Sequence, residues 1–176
     1  MELAVPVDDR PVRERLLGFA DTLEVTTAGP ASVPAPELHL VTFALDREEF
    51  GVPVAQVREV TRVSEITRVP QAPPHVRGVT NLRGRVLAVV EIRSRLGLEP
   101  AVVTPSSRIV VVDVLGRVLG LLVDRVSQVT KVPAECVAPA PDEVISADAD
   151  YLSGVARWNS RLIILLDLDK VLLLNA

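Results

Sequence analysis

Short runs of β-branched residues, each closed within a few positions by glycine, proline or a polar pair, constrain this chain more than any other feature. Ile109–Val114, Val118–Val123 and Val126–Val132 follow one another with only Leu115-Gly116-Arg117 and Asp124-Arg125 between them. Branching at Cβ stiffens the side chain and suits a pleated surface better than a helix. Leu115-Gly116-Arg117 reads as a hairpin connection. Composition points the same way: hydrophobic residues make up 48% of the 176 positions and aromatics only 3%, so the apolar mass is Val, Leu, Ile and Ala. That length suits one compact unit, or two small barrels sharing a core.

Three zones follow along the chain. In residues 1–37, Asp8 or Asp9 can cap a short helix with Pro11 in its first turn. Val12, Leu16, Leu17, Ala20 and Leu23 then recur at helical spacing. Thr26–Pro36, rich in proline and small residues, has linker chemistry, so this helix is expected to be tethered rather than part of the core. Residues 38–176 hold the other two zones. In the second, Leu38–Leu45 alternates partly, with Leu38, Leu40, Thr42 and Ala44 on one side of the pleat. Asp46–Glu49 is a polar turn, and Phe50–Val54 resumes the sheet with Pro53 at an edge or strand end. Val57–Thr61 and Ile66–Val69 are further strand-like pieces, stopped by Pro70–Pro74. Two apolar strands then flank a hairpin turn at Asn81–Arg85, where Gly84 offers positive φ. Glu91–Leu96 reads as a helical turn ended by Gly97. In the third zone, prolines 133, 139 and 141 punctuate a loop through Asp150. Arg161–Leu166 is a buried strand and Leu168–Leu174 a terminal helix. The fold class expected is mostly β, built as two small barrels.

Several function classes find no support. The net charge of −4, with 19 scattered basic residues, gives no basic face of the kind nucleic acids need. His39 and His75 are the only histidines, and neither sits in a cluster with metal-ligand spacing. Asp142, Asp148 and Asp150 lack calcium-loop spacing. Asp167 and Asp169 read as caps of the terminal helix. Ser153-Gly154 lacks the flanking glycine of a nucleophile elbow. Cys136, the only cysteine, reads as a small apolar thiol in a reducing cytoplasm. Glu2, Asp8 and Asp9 are unlike a secretory leader. The most apolar run, Arg161–Leu174, is too short and too charged to span a bilayer. No catalytic residue, metal or cofactor is assigned, and direct membrane insertion is not expected.

One segment is far more specific. Val69-Pro70-Gln71-Ala72-Pro73-Pro74-His75-Val76-Arg77-Gly78-Val79-Thr80-Asn81-Leu82-Arg83-Gly84 closely resembles the signature of CheW-like chemotaxis coupling proteins: a proline loop, then Gly-Val-x-Asn-Leu-Arg-Gly and an apolar strand. Phe50–Val54 with Val57-Arg58-Glu59-Val60, Gly120–Val126, Tyr151–Val155 and Ile163–Leu168 follow in that family's order. Ala88 stands where the family usually has proline, and Glu91 where it usually has aspartate. The likeness covers Leu38 to Leu174, and the N-terminal zone has no counterpart in the minimal family member.

The resemblance implies two five-stranded SH3-like barrels and a non-catalytic adaptor. Its partners would be the regulatory domain of a CheA-type histidine kinase and the cytoplasmic tip of chemoreceptors, so the protein would be cytoplasmic and recruited to receptor arrays. Glu59 and Arg83 match positions implicated in partner coupling. Arg83 offers a planar fork to partner carbonyls or carboxylates, or serves as an internal strut for the hairpin. Val57 is either an apolar contact or half-buried core. Gly78, Asn81 and Gly84 belong to the same partner-binding segment, the two glycines as backbone-shape residues. Gly120, Val126 and Val129 match the groove side of the second barrel. A CheW-like scaffold of a non-flagellar pathway, one that has lost a partner, is an alternative. A detached CheA-like regulatory domain is another, though no kinase or phosphotransfer segment precedes this one.

Overall fold

The computed structural model describes residues 36–141 and 151–173. The expected N-terminal helix and linker lie outside them, as do Asp142, Asp148 and Asp150. In chain order the described elements are β1 (Glu37–Leu45), β2 (Glu48–Pro53), a 3-10 turn (Val54–Gln56), β3 (Val57–Arg62), β4 (Val76–Leu82), β5 (Arg85–Glu91) and α1 (Ile92–Arg95). There follow β6 (Arg108–Val114), β7 (Arg117–Val123), β8 (Arg125–Pro133), a 3-10 turn (Ala134–Cys136), β9 (Val137–Ala138), β10 (Leu152–Trp158), β11 (Arg161–Leu166) and α2 (Leu168–Leu173).

These strands make two sheets, and the fold is mostly β as expected. One sheet has the order β3-β6-β7-β5-β4; the other runs β8-β1-β2-β11-β10-β9. The second therefore carries a sixth strand beyond the expected five, the two-residue β9. Each sheet is closed by one parallel pair, β5 with β7 and β2 with β11. The middle of the chain builds the first sheet, and the two ends of the domain build the second.

Tight turns hold the antiparallel pairs. Arg83 and Gly84 have φ of 51° and 83°, and Leu115 and Gly116 have 52° and 81°. Two successive positive φ values match the right-handed twist of the flanking strands. The first of these turns is narrower than the Asn81–Arg85 span expected, because Asn81 and Leu82 still pair with Val86 and Arg85. Ile66–Val69 does not form a strand. Only Thr67 bridges to Val79, because the proline loop that follows stops the ladder.

One apolar core joins the sheets. Phe43, Leu45, Phe50 and Val52 of the second sheet cluster with Val90, Val110, Val112, Leu121 and Val123 of the first, and with Ile92 of α1 and Leu168 and Val171 of α2. Phe43 and Phe50 are cross-strand partners whose rings stack 6.2 Å apart. From Leu40 onward β1 is buried on both faces, so its alternation is weaker than a half-exposed strand would show. At α2, Asp167 accepts a hydrogen bond from the Lys170 amide at 3.3 Å, the capping role expected of it. Cys136 is half-buried against a smaller cluster around Leu40, Val132 and Ile163.

Candidate functional site

The strand β3 alternates half-buried Val57, Glu59 and Thr61 with exposed Arg58, Val60 and Arg62. Its pairing with β6 slips between Val57 and Glu59, opposite Val112 and Val111. Such a bulge sharpens the local twist and re-aims side chains. Here Arg58 and Glu59 both reach a groove of about 350 Å³ at one end of the first sheet, floored by Leu82, Leu87, Val111 and Val118 and flanked by Arg83, Arg85 and Val86.

Charged pairs rim that apolar floor. Arg83 Nη1 donates to Glu59 Oε2 at 2.6 Å. The Arg83 side chain is 74% exposed while Glu59 is only 26% exposed, so the guanidinium keeps most of its surface open to solvent. Arg58 donates to Asp113 Oδ2 through Nη2 at 2.6 Å and Nε at 3.2 Å. Asn81 Oδ1 accepts the Gly84 amide at 3.0 Å, pinning the turn that carries Arg83. An apolar centre with a polar rim is the anatomy of a protein–protein contact.

The structure thus gathers Glu59, Asn81, Arg83 and Gly84 at one end of one sheet. Gly120 lies on β7 of that same sheet, paired with β5 and β6, while Val126 and Val129, expected beside it, lie on β8 of the other. Gly120 is also buried, and a Cβ there would lie 2.6 Å from Ile109 Cγ2. Gly78 is buried as well, and a Cβ would lie 2.3 Å from the Thr67 carbonyl oxygen. Both glycines permit close approach inside the sheet. Val57 is half-buried against the main core, as is Val126. Val129, on β8 of the other sheet, is 66% exposed. Arg58, Arg85, Val86 and Val118 line the groove without having been singled out in the sequence. Their signal was present as residues flanking Glu59, Gly84 and the Leu115–Arg117 turn.

Away from the groove, polar residues with little exposure are internally engaged. Glu91 is only 5% exposed; its Oε1 accepts from Arg77 Nη1 at 2.5 Å and from the Ala101 amide at 3.0 Å. The longer glutamate, standing where aspartate was expected, thereby reaches a loop beyond α1. Arg161 donates to Glu49 through Nε and Nη2, one to each carboxylate oxygen. Burial pushes the Glu49 carboxyl up, but hydrogen bonds from Arg161 and Thr42 and the charges of Arg161 and Arg125 outweigh it, leaving its pKa below the ordinary 4.5. Burial, helped by the charge of Arg95, holds the His75 pKa below 6.5.

Two small barrels on one core, with a charge-rimmed apolar groove at a sheet end, define a β-barrel interaction module. Residues 39–174 match the CheW-like domain family model, and the chain belongs to that family. It is 39% identical over 132 residues to chemotaxis protein CheW of Rhizobium meliloti, covering 75% of this chain and 85% of that protein. Against chemotaxis protein CheW of Klebsiella aerogenes the figure is 32% over 130 residues, covering 74% and 78%. Among solved structures, the scaffolding protein TtCheW from Thermoanaerobacter tengcongensis superposes with a TM-score of 0.72 at 30% identity, covering 80% of this chain and 95% of that one.

Proposed function

We propose that this protein is a non-catalytic adaptor that couples chemoreceptors to a CheA-type histidine kinase in a chemosensory complex. The observation that carries the reading is the groove between Arg58 and Val118, with its apolar floor and the exposed Arg83 guanidinium held beside Glu59. Arg83 keeps free donors for carbonyls or carboxylates of a partner while Glu59 fixes its direction. An adaptor of this kind raises the local concentration of kinase and receptor and sets their geometry. It changes kinase output only through contacts that differ between signalling states. Among the described residues no helix is long and apolar enough to cross a membrane.

Gel filtration of the protein with the kinase regulatory domain, then with a receptor-tip hairpin, tests this. Wild type is expected to co-migrate with both. Glu59→Ala and Arg83→Ala are expected to weaken at least one complex while circular dichroism stays unchanged. Wild type binding neither partner would overturn the reading.

A further inference from the structure

The chain passes from the first sheet to the second at a single residue. Strand β7 ends at Val123 and β8 begins at Arg125, leaving Asp124 alone at the crossing. Its amide donates to the Ala44 carbonyl of β1 at 3.1 Å. Its carboxylate Oδ2 accepts the Asp46 amide at 2.7 Å, from the turn between β1 and β2, where Asp46 has φ of 57°. The same oxygen accepts Arg93 Nη1 at 2.7 Å, from α1, which directly follows β5 of the first sheet. Arg93 in turn gives its Nε to the Glu99 carbonyl at 2.6 Å, and its side chain is only 12% exposed.

One carboxylate oxygen therefore ties the turn of one sheet to the helix of the other, at the point where the backbone itself crosses. We infer that Asp124 is a clasp that fixes the angle between the two sheets. The shared core draws the sheets together and its packing limits their rotation; a directional tie at the crossing adds a constraint that apolar burial by itself lacks. A charge-assisted hydrogen bond is directional and roughly twice as strong as a neutral one, and the second bond to a backbone amide sets where the carboxylate sits. Arg95, two residues after Arg93, adds a parallel tie to the Val171 carbonyl of α2 through Nε at 3.0 Å and Nη2 at 2.6 Å. The helix α1 thus reaches the crossing residue and α2 with two guanidinium groups. The clasp concerns the fold; the adaptor reading supplies only the reason a fixed angle matters, since two partners held by one rigid body keep a fixed relation.

The test uses the free protein, so its outcome does not depend on any partner. Spin labels at Leu115→Cys in the β6–β7 turn of the first sheet and Leu162→Cys on β11 of the second, with Cys136→Ser removing the native thiol, report the distance between sheets. Both label positions are exposed, at 64% and 53%. With Asp124 present a single narrow distance distribution is expected. Asp124→Ala and Arg93→Gln are each expected to broaden or shift it while circular dichroism stays that of a folded protein. Asp124→Asn, which keeps an acceptor for the Asp46 amide and removes the charge facing Arg93, is read in the same way should Asp124→Ala fail to fold. Distributions that superpose on the parent for the folded variants would overturn the clasp and leave the adaptor reading untouched.

Discussion

Glu59 and Arg83 show how little a surface ion pair contributes to stability while still organising a site. With Arg83 mostly in water, the pair contributes about 0–1 kcal/mol. Its value lies in direction: Glu59 pulls the guanidinium over the groove. His75 presents the opposite case, a buried group whose charge state matters to folding. Burial first, and the Arg95 charge second, lower its pKa below the unfolded 6.5. The native state then binds fewer protons than the unfolded chain in the interval below 6.5, so stability rises with pH there. This contribution is complete above 6.5 and is lost as pH falls through the interval. Glu49, lowered from 4.5, also favours higher pH, but its window lies below 4.5 and does not overlap the start of the His75 decline. Urea midpoints of wild type and His75→Gln across this range check the assignment. The variant is expected to lose the slope just below 6.5 and to keep the acid limb. An unchanged slope would mean another group titrates there.

At the scale of elements, the hairpin β4–β5 was the most legible part of the chain, and it holds two glycines with different jobs. Gly84 has φ of 83° with nothing within 4 Å of its notional Cβ, whereas Gly78 has φ of 154° and faces the Thr67 carbonyl oxygen. Gly84→Ala is therefore expected to cost about 1 kcal/mol, the strain of a left-handed alanine alone. Gly78→Ala must push the Thr67–Val79 bridge apart as well, and its loss is expected to reach several kcal/mol, the range of severe single substitutions. Thermal unfolding of the two variants separates them; equal losses would show that the Thr67 segment yields freely. Turn chemistry and β-branched runs made these strands readable locally. Strand β10 was harder, because Ser153, Gly154 and Arg157 dilute its apolar pattern and its ladder to β11 slips between Leu152 and Gly154. The separation of Gly120 from Val126 and Val129 has another cause. Which sheet a strand joins is settled by pairing across distance, as when β8 returns to β1 and Thr42 Oγ1 donates to the Gln128 carbonyl across 86 positions. No local window contains that information. The groove was legible in Glu59 and Arg83, but its floor required knowing that β4, β5, β6 and β7 share one sheet with β3.

For the whole molecule, the decisive fact is that the second sheet is assembled from both ends of the domain around a core the first sheet shares. Strands β1 and β2 pair with each other, but their outer neighbours β8 and β11 come from the far end of the domain, so the second sheet is complete only once the chain has passed through the first. The main cluster unites Phe43 and Phe50 with Val110 and Leu121, and burying each such side chain contributes about 1.5–3 kcal/mol. Separating the sheets would expose that cluster, at a cost comparable with the roughly 5–15 kcal/mol by which domains are stable at all. The described domain is therefore expected to unfold as one unit rather than barrel by barrel. Trp158, the only tryptophan, packs in the second sheet beside Leu40 and Ile163 and reports that side alone, while far-ultraviolet circular dichroism reports the strands of both. The two signals are expected to follow a single urea transition with one midpoint and one slope, the behaviour of an all-or-none domain. Phe43→Ala, which opens the shared core and is expected to cost about 3–5 kcal/mol, should move both signals together. Tryptophan emission that changed at lower urea than the dichroism would mean that the second sheet melts first, and that the common core does not couple the barrels.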